Sequence, residues 1–267
     1  MLNAADFGAY TSRNRLFMIF AKKHLVISFP ETSHSRKPYN DQFGKRQAWL
    51  PVRDVLDFED EGASIFERKK PLVDNTLKRI YAGLVQYVQK NRGTDFLTHY
   101  YGTATAYSVD KPAGTNKLNL VTAEGFLLNP QWGGQFSTLW KPCFTLIARM
   151  DKMPPYIVQP HRGESRVAMQ ETDSVIMRKI KTFIAENGIT DVKMRMLKIK
   201  ELSRIQGFPD SYQFHGTETE IKKYIGNAVH PLVPKAMVLH LSACLVNHKC
   251  SQVLQTKLII KRHGIGF

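Results

Sequence analysis

The stretch "RIQGFPDSYQF", Arg204 to Phe214, joins the end of a helix to a stiff corner. A helix-compatible run over residues 199–206 meets Gly207. Pro209 then prevents continuation, because proline lacks an N–H donor and its ring clashes with the preceding turn. Two aromatic residues follow. Downstream, "GNAVHP" (226–231) predicts a second joint, with Pro231 at a helix start.

Three further stretches show helical spacing of apolar residues, whereas others favour strands and loops. Residues 72–89, 171–189 and about 231–245 are predicted to be helices. The run "LFMIFAKKHLVISF" (16–29) is rich in Ile, Val and Phe, and it predicts a buried strand, a turn and a second strand. Residues 51–62 predict a helical turn before an acidic loop. Residues 93–165 lose helical spacing and predict short strands with long loops.

The charge points to a polyanionic partner. Lysine and arginine number 38 against 23 acidic residues, a formal net charge of +15. Neutralising phosphates with such residues releases counterions and strengthens binding to nucleic acid. A solubilising surface, or a basic face that docks an acidic protein, is the alternative. No apolar run reaches the roughly 18 residues of a membrane span, and the N-terminus lacks the pattern of a signal peptide, so a reduced, cytoplasmic chain without membrane contact is expected.

Arg13 and Arg15 stand two residues apart before the predicted strand. In an extended chain this spacing directs both guanidinium groups to one face, which suits a phosphate or a base edge. A pair of strand-end arginines in water is an equally good interpretation. The joint at 226–231 is also a reasonable place to hold a carboxylate or phosphate at a helix N-terminus.

Two cysteine-containing patterns favour packing over chemistry. Cys143 lies between Pro142 and Phe144, where a small buried residue is expected more often than a nucleophile with a lowered pKa. His240, Cys244 and His248 repeat every four residues on the last predicted helix, without a CxxC pair or a glutamate nearby. We therefore predict a packed helix there and no metal site.

Three stretches taken in order carry a family resemblance. They are "LNAADFGAYTSRNRLFMIF" (2–20), "MRMLKIKELSRIQGFPDSYQF" (194–214) and "KKYIGNAVHPLVPKAM" (222–237), with a long variable region after the first. This order strongly resembles the C-terminal half of DNA (cytosine-5) methyltransferases. The stretches look like the family's eighth, ninth and tenth motifs, and the variable region lies where the family keeps its target recognition domain.

The resemblance implies an α/β fold. It consists of an incomplete, doubly wound, Rossmann-like methyltransferase domain and a smaller, loop-rich α+β target recognition domain. Residues 1–62 would be C-terminal strands of the catalytic domain, and residues 63–215 would form the recognition domain. Residues 216–250 would return to the catalytic domain, and residues 251–267 would form a tail. An incomplete sheet of this kind is expected to present an open edge and an apolar face.

The resemblance also assigns roles to residues. Arg13 and Arg15 would contact the extruded cytosine and its flanking backbone, although Thr11 stands where the family usually has glutamine. Asn227 and Ala228 would contact S-adenosylmethionine. The remaining residues implied by the resemblance are Arg195, Glu201 and Arg204 for organising the domains, and Lys111, Lys141, Thr145, Leu146, Arg149 and Lys152 for DNA recognition.

The family's nucleophile is missing from these 267 residues. The sequence has no Pro-Cys-Gln, no Glu-Asn-Val and no Phe-x-Gly-x-Gly. Covalent catalysis needs its nucleophile, so the chain alone is not expected to methylate DNA. The favoured hypothesis is the C-terminal part of a split or truncated methyltransferase, of the kind found in restriction-modification. It would act on duplex DNA with S-adenosylmethionine and a second chain that carries the N-terminal motifs. The alternatives are a non-catalytic or vestigial DNA-binding fragment and, less favoured, a domain that binds RNA or an acidic protein.

Overall fold

The computed structural model describes residues 1–22, 25, 27–41, 44–88, 96–98, 106–108, 119–120, 125–130, 136–163 and 167–246. Five helices and thirteen short strands lie in these ranges, together with two 3-10 turns at Ala4–Phe7 and Val52–Val55. The helices are α1 (Asp74–Tyr87), α2 (Val175–Glu186), α3 (Ile199–Ile205), α4 (Glu218–Asn227) and α5 (residues 232–246). The strands are β1 (Leu2–Asn3), β2 (Asn14–Arg15), β3 (His34–Ser35), β4 (Tyr39–Asp41), β5 (Gly44–Ala48), β6 (Ala63–Ser64), β7 (Phe96–Thr98), β8 (Ala106–Ser108), β9 (Asn119–Leu120), β10 (Phe126–Leu128), β11 (Phe136–Thr138), β12 (Tyr156–Arg162) and β13 (Ile189–Met196).

A five-stranded antiparallel sheet organises the described chain, in the order β11-β10-β12-β13-β6. Smaller sheets join β1 with β2, β3 with β5 and β4, and β8 with β7 and β9. Successive side chains of a strand point to opposite faces, and both faces of the main sheet are buried. Phe126 and Val158 pack on one side of it, while Leu127 and Ile157 pack on the other.

The first face of the sheet is covered by α1 and α2. Buried residues of these helices, including Ile80, Leu84 and Ile180, contact Phe126 and Met194 of the strands. The predicted helices over 72–89 and 171–189 are confirmed here. Ser174 caps α2 through its side-chain oxygen, which accepts a bond from the N–H of Met177.

The second face is covered by the turn at Val52–Val55, the segment 139–150, and the helices α3 and α4. Leu146, Ile157, Leu202 and Ile225 belong to this cluster. It therefore brings together chain segments on both sides of the expected domain boundaries at 62/63 and 215/216. Those boundaries stay a prediction.

A third, smaller cluster joins the N-terminal turn to α5. Ala4, Phe7 and Val233 are buried in it, and Phe17 and Met237 pack against it. The predicted helix after Pro231 is confirmed by α5. The structure adds α4, which is not among the helices predicted from the sequence.

The prediction of buried strands over 16–29 is wrong for the described residues of that range. They form no strand, and the side chains of Leu16, Met18 and Phe20 are 68%, 68% and 89% exposed. Phe17 points the other way and packs on the third cluster. The alternation suits a strand, but a strand also needs a neighbour for its N–H and C=O groups. The pairing of β2 with β1 ends at Arg15. After that residue, no described strand pairs with the described residues of the segment 16–29.

The α/β class is confirmed by this mixed arrangement of sheets and helices. Among the residues that the structure describes, one helical stretch, Glu218–Val246, would be long and apolar enough to cross a membrane by length and composition alone. That stretch consists of two helices. Ala228 between them is extended, with φ −60° and ψ 144°.

Candidate functional site

Arg195 and Glu201 form a buried ion pair between the main sheet and α3. The strand alternation of β13 turns Arg195 away from Met194 and toward the second cluster. There, its two terminal nitrogens donate to the Glu201 carboxylate at 2.8 and 2.9 Å. The side chains are only 8% and 2% exposed. A buried, bidentate pair of this kind fixes both position and orientation.

The same pair also holds the acidic loop at 57–62. The Glu201 carboxylate accepts the backbone N–H groups of Asp57 at 2.8 Å and Lys198 at 2.7 Å. Arg195 donates to the carbonyl oxygens of Asp57 and Asp60. The loop, the strand and the start of α3 thus share one polar network.

The corner after α3 is held by a second ion pair and by stacked rings. Gly207 has φ +86°, a left-handed conformation that glycine adopts without strain. Arg204 donates two bonds of 2.7 Å to Asp210, and these bonds lower the pKa of the Asp210 carboxyl below its ordinary value. Phe208, Tyr212 and Phe214 contact one another with ring centroids 4.8–5.1 Å apart. The stiffness expected of this corner has a clear physical basis in these contacts.

Arg13 is buried in the protein interior, where its side chain donates hydrogen bonds to two segments that are distant in sequence. Its Nη1 donates to the Leu146 carbonyl at 2.6 Å and its Nη2 to the Gly226 carbonyl at 2.7 Å, and the residue is 2% exposed. Burial, with the nearby charge of Arg15, lowers the pKa of Arg13 to about 10. The Gly226 carbonyl lies at the C-terminal end of α4, where the helix dipole favours a cation.

Arg15 lies in a different environment. It is exposed, and the bond from its Nη1 goes to the neighbouring Asn14 carbonyl at 2.8 Å. Of the two arginines, Arg15 is therefore the one whose guanidinium faces solvent. A DNA contact of Arg13 would require both of its internal bonds to break.

Residues 10–13 run alongside residues 143–146. Thr11 forms an isolated parallel bridge with Cys143, and its hydroxyl donates to the Phe144 carbonyl at 3.2 Å. The Thr145 hydroxyl donates to the Ser12 carbonyl at 2.8 Å. Thr11 is fully buried, so its contacts are made with other residues of the protein interior. Cys143 is also fully buried, which raises the pKa of its thiol and confirms the packed interpretation.

The joint between α4 and α5 lies against the same segment. A Cβ added to Gly226 would lie 2.3 Å from the Ile147 carbonyl oxygen, so only glycine allows this approach. Gly226 lies in the last turn of α4, and its lack of a side chain is what permits this close contact. The side chain of Asn227 next to it is exposed, Ala228 is half-buried and Val229 is 48% exposed.

Two buried polar residues of this region were missed from the sequence. Gln206 donates from Nε2 to the Ala228 carbonyl at 2.7 Å. His230 is 3% exposed, and burial together with the Arg13 charge lowers its pKa to about 4. The imidazole is therefore neutral at pH 7. No local pattern marks Gln206, since its partner is 22 residues away, whereas a histidine directly before Pro231 at a tight joint was a readable signal.

The remaining predicted residues lie on or beside the segment 139–153. Lys141, Arg149 and Lys152 are exposed, Thr145 is half-buried, and Leu146 is buried in the second cluster. Lys111 lies outside the described residues, as do His248 and the tail 251–267. The His240 ring contacts the Ser28 hydroxyl at 2.8 Å. Within the described part of the chain, no group of three or more His, Cys, Asp or Glu could hold a metal ion.

The geometry thus joins three separated stretches, around Arg13, Gln206 and Gly226, in one buried unit beside an exposed basic segment. The profile of the C-5 cytosine-specific DNA methylase family matches residues 1–242. The chain belongs to this family, whose members are transferases that use S-adenosylmethionine.

Relatives come from bacteria, animals and plants. The type II methyltransferase M.SacI of Streptomyces achromogenes is 23% identical over 239 residues, which is 89% of this chain and 49% of the relative. M.NgoMIV of Neisseria gonorrhoeae is 40% identical over 75 residues, 28% of this chain and 21% of the relative. DNA (cytosine-5)-methyltransferase 1 of Mus musculus is 42% identical over 53 residues, 20% of this chain and 3% of the relative. The chain therefore spans half the length of these relatives or less.

Proposed function

We propose that this chain supplies DNA target recognition and one wall of the S-adenosylmethionine site for methylation of cytosine at C5. The observation that carries the proposal is the pair of hydrogen bonds donated by Arg13. They connect the segment at Leu146 to the end of α4 at Gly226. This contact connects the exposed lysines and arginines around residues 141–152 with the residues proposed to meet the cofactor. A recognition segment and a cofactor wall must keep a fixed relation while a base is held out of the duplex.

The residues at the α4–α5 joint fit one side of a nucleoside-type cofactor. The Asn227 amide is exposed and is not bonded by the described residues. Ala228 is small, and the exposed Val229 offers an apolar contact. These three residues would hold part of S-adenosylmethionine, and the cofactor, when bound, supplies the methyl group.

On the DNA side, we assign Arg15, Lys141, Arg149 and Lys152 to phosphate or base contacts. All four are exposed, and cationic side chains on loops commonly position a protein on the DNA backbone. The Thr145 hydroxyl and the Leu146 carbonyl are bonded internally. We therefore expect those two residues to shape the segment that carries the basic side chains.

A segment with the nucleophile, the glutamate and the Gly-rich motif would complete the enzyme. It would cover the face formed by Leu16, Met18 and Phe20, whose side chains are more than two-thirds exposed. Val238 and Leu239 of α5 are 62% and 63% exposed as well. Monomeric soluble proteins rarely leave extended apolar patches of this kind uncovered.

The proposal is tested by methyl transfer and by a salt series of DNA binding. With the completing segment present, Arg15→Ala should lower tritiated methyl transfer into duplex DNA by about tenfold or more, with little change in folding. It should also reduce the slope of log affinity against log salt by about 1. Lys179→Ala removes one charge from the exposed face of α2 and serves as the matched control. A flat salt slope for the unaltered chain, or equal transfer by Arg15→Ala and the control, would reject the assignment. DNA binding without any transfer would favour a non-catalytic fragment.

A further inference from the structure

Gln206 connects two elements that the family resemblance treats separately. It follows α3 directly and is fully buried. Its backbone N–H bonds to the carbonyls of Leu202 and Ser203 and so continues the helix. Its side chain leaves the helix and donates to the Ala228 carbonyl at 2.7 Å.

The corner and the joint touch closely around this bond. A Cβ added to Gly207 would lie 2.6 Å from the His230 ring. The Nε2 group of Gln206 thus supplies a hydrogen bond at a close contact between the end of α3 and residues 228–230. Through α3, this contact is also connected to the Arg195–Glu201 pair.

Packing alone does not account for a glutamine here. Its Oε1 is buried and has no hydrogen-bond partner among the described residues, and the same is true of the Arg13 Nε. An unpaired buried acceptor lowers stability. Methionine has nearly the same length and flexibility and would fill the space without that penalty. The amide group is therefore best explained by the hydrogen bond that it donates to the Ala228 carbonyl.

We propose that Gln206 is a positioning residue for the cofactor wall. By fixing the Ala228 carbonyl, it sets the direction in which the neighbouring Asn227 amide leaves the end of α4. This inference rests on the proposed function, because it takes Asn227 and Ala228 to meet S-adenosylmethionine. By this inference, α3 links the position of the recognition residues to the position of the residues that contact the cofactor.

The test compares Gln206→Met with Gln213→Met, a matched exchange at an exposed glutamine of the same corner. Hydrogen exchange of the chain itself should show faster exchange at residues 226–232 in Gln206→Met only. With the completing segment present, S-adenosylmethionine should bind about three- to tenfold more weakly to Gln206→Met, in keeping with the loss of one neutral hydrogen bond. The affinity for duplex DNA and the melting temperature should stay close to those of the unaltered protein.

The outcomes separate the inference from the proposed function. Unchanged exchange, or faster exchange with unchanged cofactor affinity, would leave Gln206 a purely structural residue and overturn the inference. Equal weakening of cofactor and DNA binding would also overturn it, because a general loosening would then be the cause. If the unaltered assembly binds no S-adenosylmethionine, the proposed function itself fails. Should Gln206→Met not melt cooperatively, Gln206→Leu, which also lacks the N–H donor and adds no buried charge, is measured in its place.

Discussion

Replacing Arg195 with methionine removes the positive half of the buried pair while keeping most of the side-chain volume. Glu201 would keep its two bonds from the N–H groups of Asp57 and Lys198 but lose both bonds from the guanidinium. Breaking a buried ion pair from one side typically costs about 3–5 kcal/mol, because the other charge is left uncompensated. The carbonyls of Asp57 and Asp60 would lose their donor as well, so we expect the upper part of that range.

The chain contains its own control for this experiment. Arg204 and Asp210 are also bidentate and also six residues apart, but their side chains are 34% and 56% exposed. Exposed pairs contribute little to stability, because water and salt screen them. Arg204→Met should therefore change the unfolding free energy far less than Arg195→Met.

Urea unfolding followed by tryptophan fluorescence measures both variants. The double variant Arg195→Met/Glu201→Gln should recover part of the loss, since no isolated charge then remains buried, and the cycle isolates the coupling of the pair. Equal destabilisation by Arg195→Met and Arg204→Met would refute the reasoning, as would an additive double variant.

Three further predictions concern the joint and the buried unit. Gly226→Ala should destabilise by about 1–3 kcal/mol in thermal unfolding, although alanine is the better helix former by about 1 kcal/mol, because the new Cβ meets the Ile147 carbonyl; a stabilised variant would contradict this packing. Folding depresses the pKa of His230 from 6.5 to about 4, so its contribution is complete above pH 6.5 and is lost as the pH falls toward 4, a loss of about 3 kcal/mol. His230→Gln should flatten that part of the pH–stability curve measured by urea unfolding, and an unchanged curve would place the titration elsewhere. Arg13→Met should lower the melting temperature and Arg15→Met should not, and equal effects of the two would show that Arg13 is not the internal tie.

Local chemistry made α3 and its corner predictable. Gly207 and Pro209 stop the helix by their own backbone properties, so no distant partner is needed to foresee the corner. The same holds for α2, where Ser174 and Asn187 bracket a strongly amphipathic run. The helix α4 was missed although Thr217 and Glu220 form a capping box, a signal that is readable in sequence.

What the sequence could not provide depends on contacts over long separations. The carbonyls that hold Arg13 come from residues 133 and 213 positions away, and a two-residue spacing says nothing about them. The apolar run that contains Leu16, Met18 and Phe20 was read as a buried strand, but whether such a segment is buried depends on which chain lies against it. The family resemblance singled out Arg195 and Glu201 by position, and the structure shows the hydrogen bonds between them.

The most direct test is transfer of tritiated methyl groups from S-adenosylmethionine into duplex DNA. The chain, a segment carrying the nucleophile and the Gly-rich motif, and the two together are compared at equal concentration. We expect incorporation only in the mixture, with the exposed face of Leu16, Met18 and Phe20 protected from labelling when the two are combined. Incorporation by this chain alone, or none in a mixture that forms a stable complex and binds DNA, would contradict the account.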